Sequence, residues 1–410
     1  MNFRDYQTTI MDKAKGVLLA HRFVYLSMQV RTGKTLTAMG VAQKLRIKRM
    51  LFVTKKKAIS SIEADYKKLN PNYELVVINY ESLHKIQGRF DFVVLDEAHC
   101  IGAYPKPSKR AQRVKEIIKT NSPFVILMSG TPTPESFSQM YHQVYGCPLN
   151  PFSSFKNFYG FATEYVDVFQ KHLGPMLHND YTRGKTTILD SMKPYMISYT
   201  QKEAGFKVET KEHVVKVKLK PRTYEIIKEL QKHKVVESDV VDEVILGDTG
   251  VKEMSKVHQL CSGTVKFESG NSLVIDTTKA ERIKALFKNK KVGIFYKFTA
   301  EYAALKSVYG EDLTNDLDEF KTTNKSIALQ IVSGREGISL KEAECLVYYN
   351  IDFSALSYWQ SRDRMTTKDT MLNDVYWIFS EGGIEEEIYK VVSKKKDYTL
   401  RHFKKDLLSL

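Results

Sequence analysis

At 410 residues, 42% apolar and 27% charged, the chain is long enough for two to three domains, each burying its own core at roughly 150 residues per domain. It has no run of about 18 apolar residues and no apolar stretch in MNFRDYQTTI, so no membrane span and no secretion signal is expected, and the expected location is the cytoplasm. Lys plus Arg (63) exceed Asp plus Glu (48) by +15, which favours a polyanionic partner, while four scattered cysteines (100, 147, 261, 345) with no C-x-x-C pair argue against a zinc ribbon or disulfide framework and for reduced thiols.

In chain order, Phe23 to Ser27 is a short apolar run that leads into a Gly-Lys-Thr loop, and Leu36 to Arg46 then has helical composition. Met50 to Thr54, Leu75 to Asn79, Phe92 to Leu95 and Phe124 to Met128 are further apolar runs, each followed by a polar loop or helical stretch. Strands alternating with helices predict a parallel sheet, and near-continuous apolar strands predict one covered on both faces. From about 150 to 270 the rhythm is lost: residues 151–170 are rich in aromatics, and Arg222 to Val236 reads as a helix. Alternation returns with Val292 to Tyr296, Ile327 to Val332, Cys345 to Tyr349 and Val375 to Phe379. The expected fold is α/β: a parallel-sheet domain over 1–150, a mostly helical insertion and crossover over 151–270, and a second parallel-sheet domain over 271–410.

Three loops carry chemistry. In QVRTGKT (29–35), Gly33 permits a tight loop whose N–H groups face phosphate, Lys34 supplies a point charge, and Thr35 can ligate Mg²⁺. The full phosphate-loop pattern wants a glycine five residues before Gly33, where Met28 stands, and an isolated Gly-Lys-Thr is also an ordinary turn. Asp96-Glu97-Ala98-His99 follows the run FVVL, 61 residues after Thr35. Asp96 suits Mg²⁺, directly or through water, and Glu97 suits orienting and deprotonating a water in phosphoryl transfer. Ser129-Gly130-Thr131-Pro132 follows FVILM, and its hydroxyls suit sensing the phosphate site. His99 has no second ligand at metal spacing and reads better as a coupling residue.

In this order, VRTGKT, DEAH and SGTP resemble motifs I, II and III of superfamily-two helicases. Arg4-Asp5-Tyr6-Gln7 resembles the "R-x-Y-Q" element, which implies that Gln7 reads adenine. Asn79 to Leu83 resembles the "T-Y-E" segment, Lys193 to Ala204 (KPYMISYTQKEA) the "RPFMLRRTK" stretch of the Swi/Snf-type branch, and Lys256 to Cys261 (KVHQLC) its "KLRQIC". GIFYKF (293–298), SGREGISL (333–340) and QSRDRMTT (360–367) resemble motifs IV, V and VI. The resemblance spans almost the whole chain and implies two RecA-like domains in tandem with ATP and Mg²⁺ bound between them. The implied nucleotide residues are Gln7, Arg31, Thr32, Gly33, Lys34, Thr35, Gly337 and Arg364, with Thr35 and Asp96 on the metal and Lys34, Asp96, Glu97 and Arg364 catalytic. The second arginine of motif VI falls on Thr367, so Arg362 or Arg364 is left to face the γ-phosphate; a salt-bridge cluster with Asp363 is the plainer role for both.

Lys55, Lys56, Asn79, Tyr80, Ser82, Ser333 and Gly334 are the expected nucleic-acid contacts, since lysines and small polar groups at strand ends suit sequence-independent phosphate binding. Any one of these lysines also reads as a solvated surface charge. The aromatics of 151–170 read as core rather than as base-stacking groups. The expected activity is ATP-driven helicase or translocase action on DNA, by a compact monomer of bacterial or phage type. Two alternatives stay open: an ATP-binding nucleic-acid scaffold with weak turnover, and an RNA helicase.

Overall fold

A computed structural model describes residues 3–173, 176–205, 209–238, 240–334, 339–354, 357–358, 361 and 372–394. The chain divides into two units, Met1–Phe206 and Lys207–Leu410.

The first unit is built on β1 (Phe23–Met28), β2 (Arg49–Thr54), β3 (Glu74–Asn79), β4 (Phe92–Asp96), β5 (Phe124–Met128) and, beyond the hairpin β6 (Phe169–Leu173) and β7 (Met176–Asp180), β8 (Met196–Tyr199). Its sheet runs β3-β2-β4-β5-β1-β8, parallel at every pairing. Successive strand residues point to opposite faces. Phe23, Tyr25, Leu51, Val53, Val93 and Leu95 therefore enter one buried core, while Val24, Leu26, Met50, Phe52, Phe92 and Val94 enter a second on the other face. Two-sided burial is why these strands read as unbroken apolar runs. Helix α1 (Asp5–His21) buries Gln7, Ile10, Met11, Ala14 and Leu18, the i, i+3, i+4, i+7, i+11 stripe of one helical face. Helix α2 (Lys34–Lys44) starts at the glycine loop.

The second unit repeats the plan. β9 (Glu209–Val217) is followed by the hairpins β10 (Val235–Glu237) with β11 (Val244–Leu246) and β12 (Thr264–Lys266) with β13 (Ser272–Val274). Then come β14 (Val292–Tyr296), β15 (Leu313–Thr314), β16 (Ser326–Gln330), β17 (Cys345–Tyr348) and β18 (Leu372–Ser380). The sheet order is β15-β16-β14-β17-β18-β9, again all parallel. Phe295, Leu346, Tyr348 and Trp377 pack on one face, and Val292, Ile294, Val347 and Ile378 on the other.

The α/β class with two parallel-sheet domains in tandem is as expected, but the chain divides at 206/207 rather than at 150 and 270. The segment 151–270 is shared between the units: β8 completes the first sheet and β9 the second. Both are edge strands. β8 is only half-buried, and β9 (ETKEHVVKV) opens on five polar or charged residues, so neither shows the apolar run that marks a central strand. The aromatics at 152, 158 and 161 are buried in the first unit's core, with Phe152 edge-on to Phe161 at 5.0 Å. Among the described residues no helix is long and apolar enough to cross a membrane.

Candidate nucleotide site and nucleic-acid face

In a parallel sheet every strand delivers its C-terminal end to one edge, where loops can converge on a ligand. In the first unit that edge carries the glycine loop after β1, Lys55 to Lys57 after β2, Asn79 to Ser82 after β3, Asp96-Glu97 at the end of β4, Ser129 to Thr131 after β5 and Tyr199 to Gln201 after β8.

The glycine loop makes its turn through left-handed backbone at Arg31 (φ 63°) and Gly33 (φ 78°). A β-carbon on Gly33 would stand 2.4 Å from Gln7 Nε2, so position 33 takes glycine for both conformation and space. Thr32 is buried and its hydroxyl donates to the Gln29 carbonyl (2.7 Å). Lys34 Nζ donates to the Met28 carbonyl (3.0 Å), folded back over the loop. Gly130 lies against the same loop: a β-carbon there would sit 3.6 Å from Lys34 Nζ and 3.6 Å from Val30 N.

Asp96 Oδ2 accepts from Thr54 Oγ1 at 2.8 Å, because β2 and β4 are sheet neighbours. Burial, then the adjoining Glu97 carboxylate, push the Asp96 carboxyl up to about 6, against the pull of Lys34 and Thr54. Glu97 sits in left-handed backbone (φ 49°) with Oε2 3.3 Å from His99 Nδ1. His99 Nδ1 and Ser129 Oγ share a hydrogen bond of 3.0 Å, and Ser129 Oγ accepts from Thr131 N (3.1 Å), which joins the loop after β4 to the loop after β5.

The raised Asp96 pKa has a sign that can be tested. An acid that binds its proton more tightly when folded stabilises fully below its unfolded pKa near 4, and that contribution is lost as pH rises through about 6. Asp96→Asn keeps an acceptor for Thr54 and removes the buried charge. It is expected to raise the first unit's Tm by about 3–8 °C at pH 7.5, with the gap closing towards pH 4. Equal melting of variant and wild type at pH 7.5 would refute this account of Asp96.

The residues present fit a nucleotide with its divalent cation. The loop amides, Lys34 and Thr35 open α2, Asp96 offers a carboxylate, and Thr131 Oγ1 is a buried hydroxyl with no hydrogen-bond partner among the described residues. Gln7, expected to read adenine, lies beside the glycine loop. Its Oε1 accepts from Arg4 N (3.0 Å) and its Nε2 donates to the Gly33 carbonyl (3.3 Å), so both ends of the amide are held by the chain.

The expected nucleic-acid residues separate. Lys55 is half-buried and Lys56 exposed, and Asn79 Nδ2 donates to Glu81 (2.9 Å), which also pairs with Arg110 (2.6 Å). Ser82 is half-buried. Tyr80 is a correction: it is buried, and its hydroxyl donates to the Asp96 carbonyl at 2.6 Å, so it positions the carboxylate loop instead of presenting a ring to a ligand. In the second unit Ser333 and Gly334 end the short helix Ile331–Gly334 that follows β16. Gly337, Gln360, Arg362, Arg364 and Thr367 lie outside the described residues. Sequence reasoning missed Thr54, Tyr6 and Gln201. The Tyr6 hydroxyl donates to the Thr32 carbonyl (3.1 Å), and Gln201 Nε2 donates to the Val30 carbonyl (3.1 Å). Only the order of strands in the sheet reveals them.

Comparison with known proteins agrees with this geometry. No curated protein matches the chain in sequence. Among solved structures, the chain is similar to the Pyrococcus furiosus Hef helicase domain, with TM-score 0.50, 14% identity, and coverage of 96% of this chain and 98% of that one. It is also similar to the Sulfolobus solfataricus SWI2/SNF2 ATPase core in complex with dsDNA (TM-score 0.44, 15% identity, 96% and 91% covered). It is likewise similar to the Sulfolobus solfataricus SWI2/SNF2 ATPase core domain (TM-score 0.41, 16% identity, 96% and 89% covered). At such identities the Hef match speaks for the fold alone, two RecA-like domains in tandem. The model of the SNF2-related domain matches residues 30–268, from the glycine loop through the carboxylate pair and past β12, which is more than half of the chain. A glycine loop, an acidic pair and a hydroxyl loop on one edge of a parallel sheet, within that match, show that the chain belongs to the SNF2-related domain family.

Proposed function

We propose that the chain is an ATP-driven motor that moves on DNA, a translocase or helicase of the Swi/Snf type. The observation that carries this reading is the convergence of Lys34, Asp96, Glu97 and the Ser129–Thr131 loop at one sheet edge, with Lys34 near enough to Asp96 to offset part of the rise in its pKa. Lys34 would hold the β/γ-phosphates, Thr35 and Asp96 the Mg²⁺, and Glu97 would take the proton of the attacking water. Bound Mg²⁺ would neutralise phosphate charge. The strand ends of β2 and β3, with Lys55, Lys56, Asn79 and Ser82, offer a phosphate-gripping face on the same edge. The net charge of +15 supports a polyanionic partner, and the Swi/Snf resemblance favours duplex DNA. Arg364 is proposed to supply the γ-phosphate cation.

An ATPase panel at one salt concentration tests the reading. Hydrolysis is expected to rise at least about tenfold with duplex DNA, more than with single-stranded DNA or RNA, and Lys34→Ala is expected to lower it by about 10²-fold or more. Preferential stimulation by RNA would make the chain an RNA motor. Binding of ATP without stimulated phosphate release would make it a nucleic-acid scaffold. Full activity in Lys34→Ala would remove the proposed site.

A further inference from the structure

The phosphate-binding loop is stitched to the last described turn of the first unit. The Gln29 amide donates to the Tyr199 carbonyl (3.0 Å), the Gln201 amide donates to Gln29 Oε1 (2.7 Å), and Gln201 Nε2 donates to the Val30 carbonyl (3.1 Å). Tyr6 adds a clamp: its ring stacks on Tyr199 at 4.8 Å while its hydroxyl holds Thr32. The turn itself is locked, since Glu203 Oε2 accepts from both Thr200 N (2.6 Å) and Thr200 Oγ1 (2.7 Å). The chain then leaves the first unit at Phe206, and Glu209 already opens β9, an edge strand of the second unit's sheet.

The bonded part of the loop is also the part that a phosphate must reshape. Lys34 Nζ is held by the Met28 carbonyl, immediately before Gln29 and Val30. To reach a phosphate, Lys34 must leave that carbonyl, and the loop residues between Met28 and Gly33 must turn their N–H groups to the ligand. Such a movement shifts the Gln29 side chain and the Val30 carbonyl, the two groups that Gln201 grips. An element bonded to one state of a loop is biased by a ligand that selects another.

We infer that Gln201 is a positioning residue that reports the state of the phosphate loop to the chain segment entering the second unit. The inference rests on the nucleotide-binding reading above. It assigns a role to the KPYMISYTQKEA stretch that neither β8 pairing nor nucleotide contact requires.

The test is hydrogen exchange of peptides covering 196–205, with and without Mg-ADP, beside a titration with a fluorescent ADP. In the wild type, nucleotide is expected to change exchange in this segment. In Gln201→Ala and Gln29→Ala the segment is expected to stop responding, and in Gln201→Ala binding is expected to stay within about threefold, since each variant loses one side-chain hydrogen bond. Gln29→Glu keeps an acceptor for the Gln201 amide and is expected to restore the response. Gln201→Glu turns a donor towards the Val30 carbonyl into an acceptor and is expected to be no better than Gln201→Ala. DNA-stimulated kcat is expected to fall about tenfold in Gln201→Ala with KM little changed. A wild-type segment indifferent to bound nucleotide, or a Gln201→Ala segment that responds as wild type does, overturns the inference alone. A fall confined to affinity and KM overturns it too, and reduces Gln201 to a wall of the pocket. A wild-type chain that binds no ADP overturns the nucleotide reading itself, and the inference with it.

Discussion

Replacing Glu97 by glutamine is expected to lower DNA-stimulated ATP hydrolysis by about 10²–10⁴-fold while nucleotide binding persists. The two carboxylates at the end of β4 are not equivalent. Asp96 is tied to Thr54 through its side chain and to Tyr80 through its carbonyl, and burial holds its proton up to about 6. It is therefore a fixed group, suited to ligating a cation. Glu97 follows in left-handed backbone, a conformation that costs a non-glycine residue about 1–3 kcal/mol and persists only where its surroundings impose it. That turn sets the carboxylate beside His99, whose ring reaches Ser129 on the neighbouring loop. Glutamine keeps the shape and removes the base. Single-turnover hydrolysis beside a binding titration separates the two effects. Hydrolysis above roughly a tenth of the wild-type rate would move the base elsewhere.

The second large effect concerns folding of the other unit. Lys279 and Glu385 form an ion pair of 2.8 Å with both side chains 0% exposed. Lys279 also donates to the Tyr349 carbonyl (3.2 Å), and Glu385 accepts from Ser380 Oγ (2.9 Å) and Ser380 N (3.3 Å). The pair thus joins the helix Thr278–Leu286, the end of β17, the end of β18 and the helix Glu385–Val392. Gly383 is shaped around it, since a β-carbon there would stand 2.1 Å from Glu385 Oε2. Desolvating two charges nearly cancels their attraction, but removing one partner leaves the other charge buried and unpaired. Lys279→Met is expected to destabilise the second unit by about 3–5 kcal/mol, a large share of a domain's usual 5–15 kcal/mol. Lys279→Met with Glu385→Leu is expected to recover most of it. Denaturant unfolding followed by tryptophan fluorescence, from Trp359 and Trp377 of the second unit, checks both, and a single variant as stable as wild type would show the pair to be superfluous.

The elements along the chain were legible because each has a local cause. Apolar runs bounded by polar loops became strands: Phe124–Met128 and Val292–Tyr296 fall where the sequence predicts them. Loops that carry chemistry follow directly on strand ends, so Gly33, Lys34, Asp96 and Glu97 could be named from neighbours in sequence. By its apolar character the run 327–332 reads as one strand. The structure ends β16 at Gln330 and turns Ile331 into a short helix, a boundary that apolar character alone does not mark.

By itself, the sequence determined the two alternating halves, the loop chemistry on the first sheet's edge and the charge that favours a polyanion, all properties of residues close together in the chain. The tertiary structure decided which strands became neighbours. Strand order places β2 against β4 and so puts Thr54 on Asp96, turns Tyr80 inward beneath the carboxylate loop, and lays β8 along β1 so that Gln201 grips the glycine loop from 171 residues away. It also placed the boundary at 206/207, by recruiting β8 and β9 as edges of different sheets. Such choices are made by long-range packing and the crossovers that connect parallel strands, and no local pattern of residues encodes them.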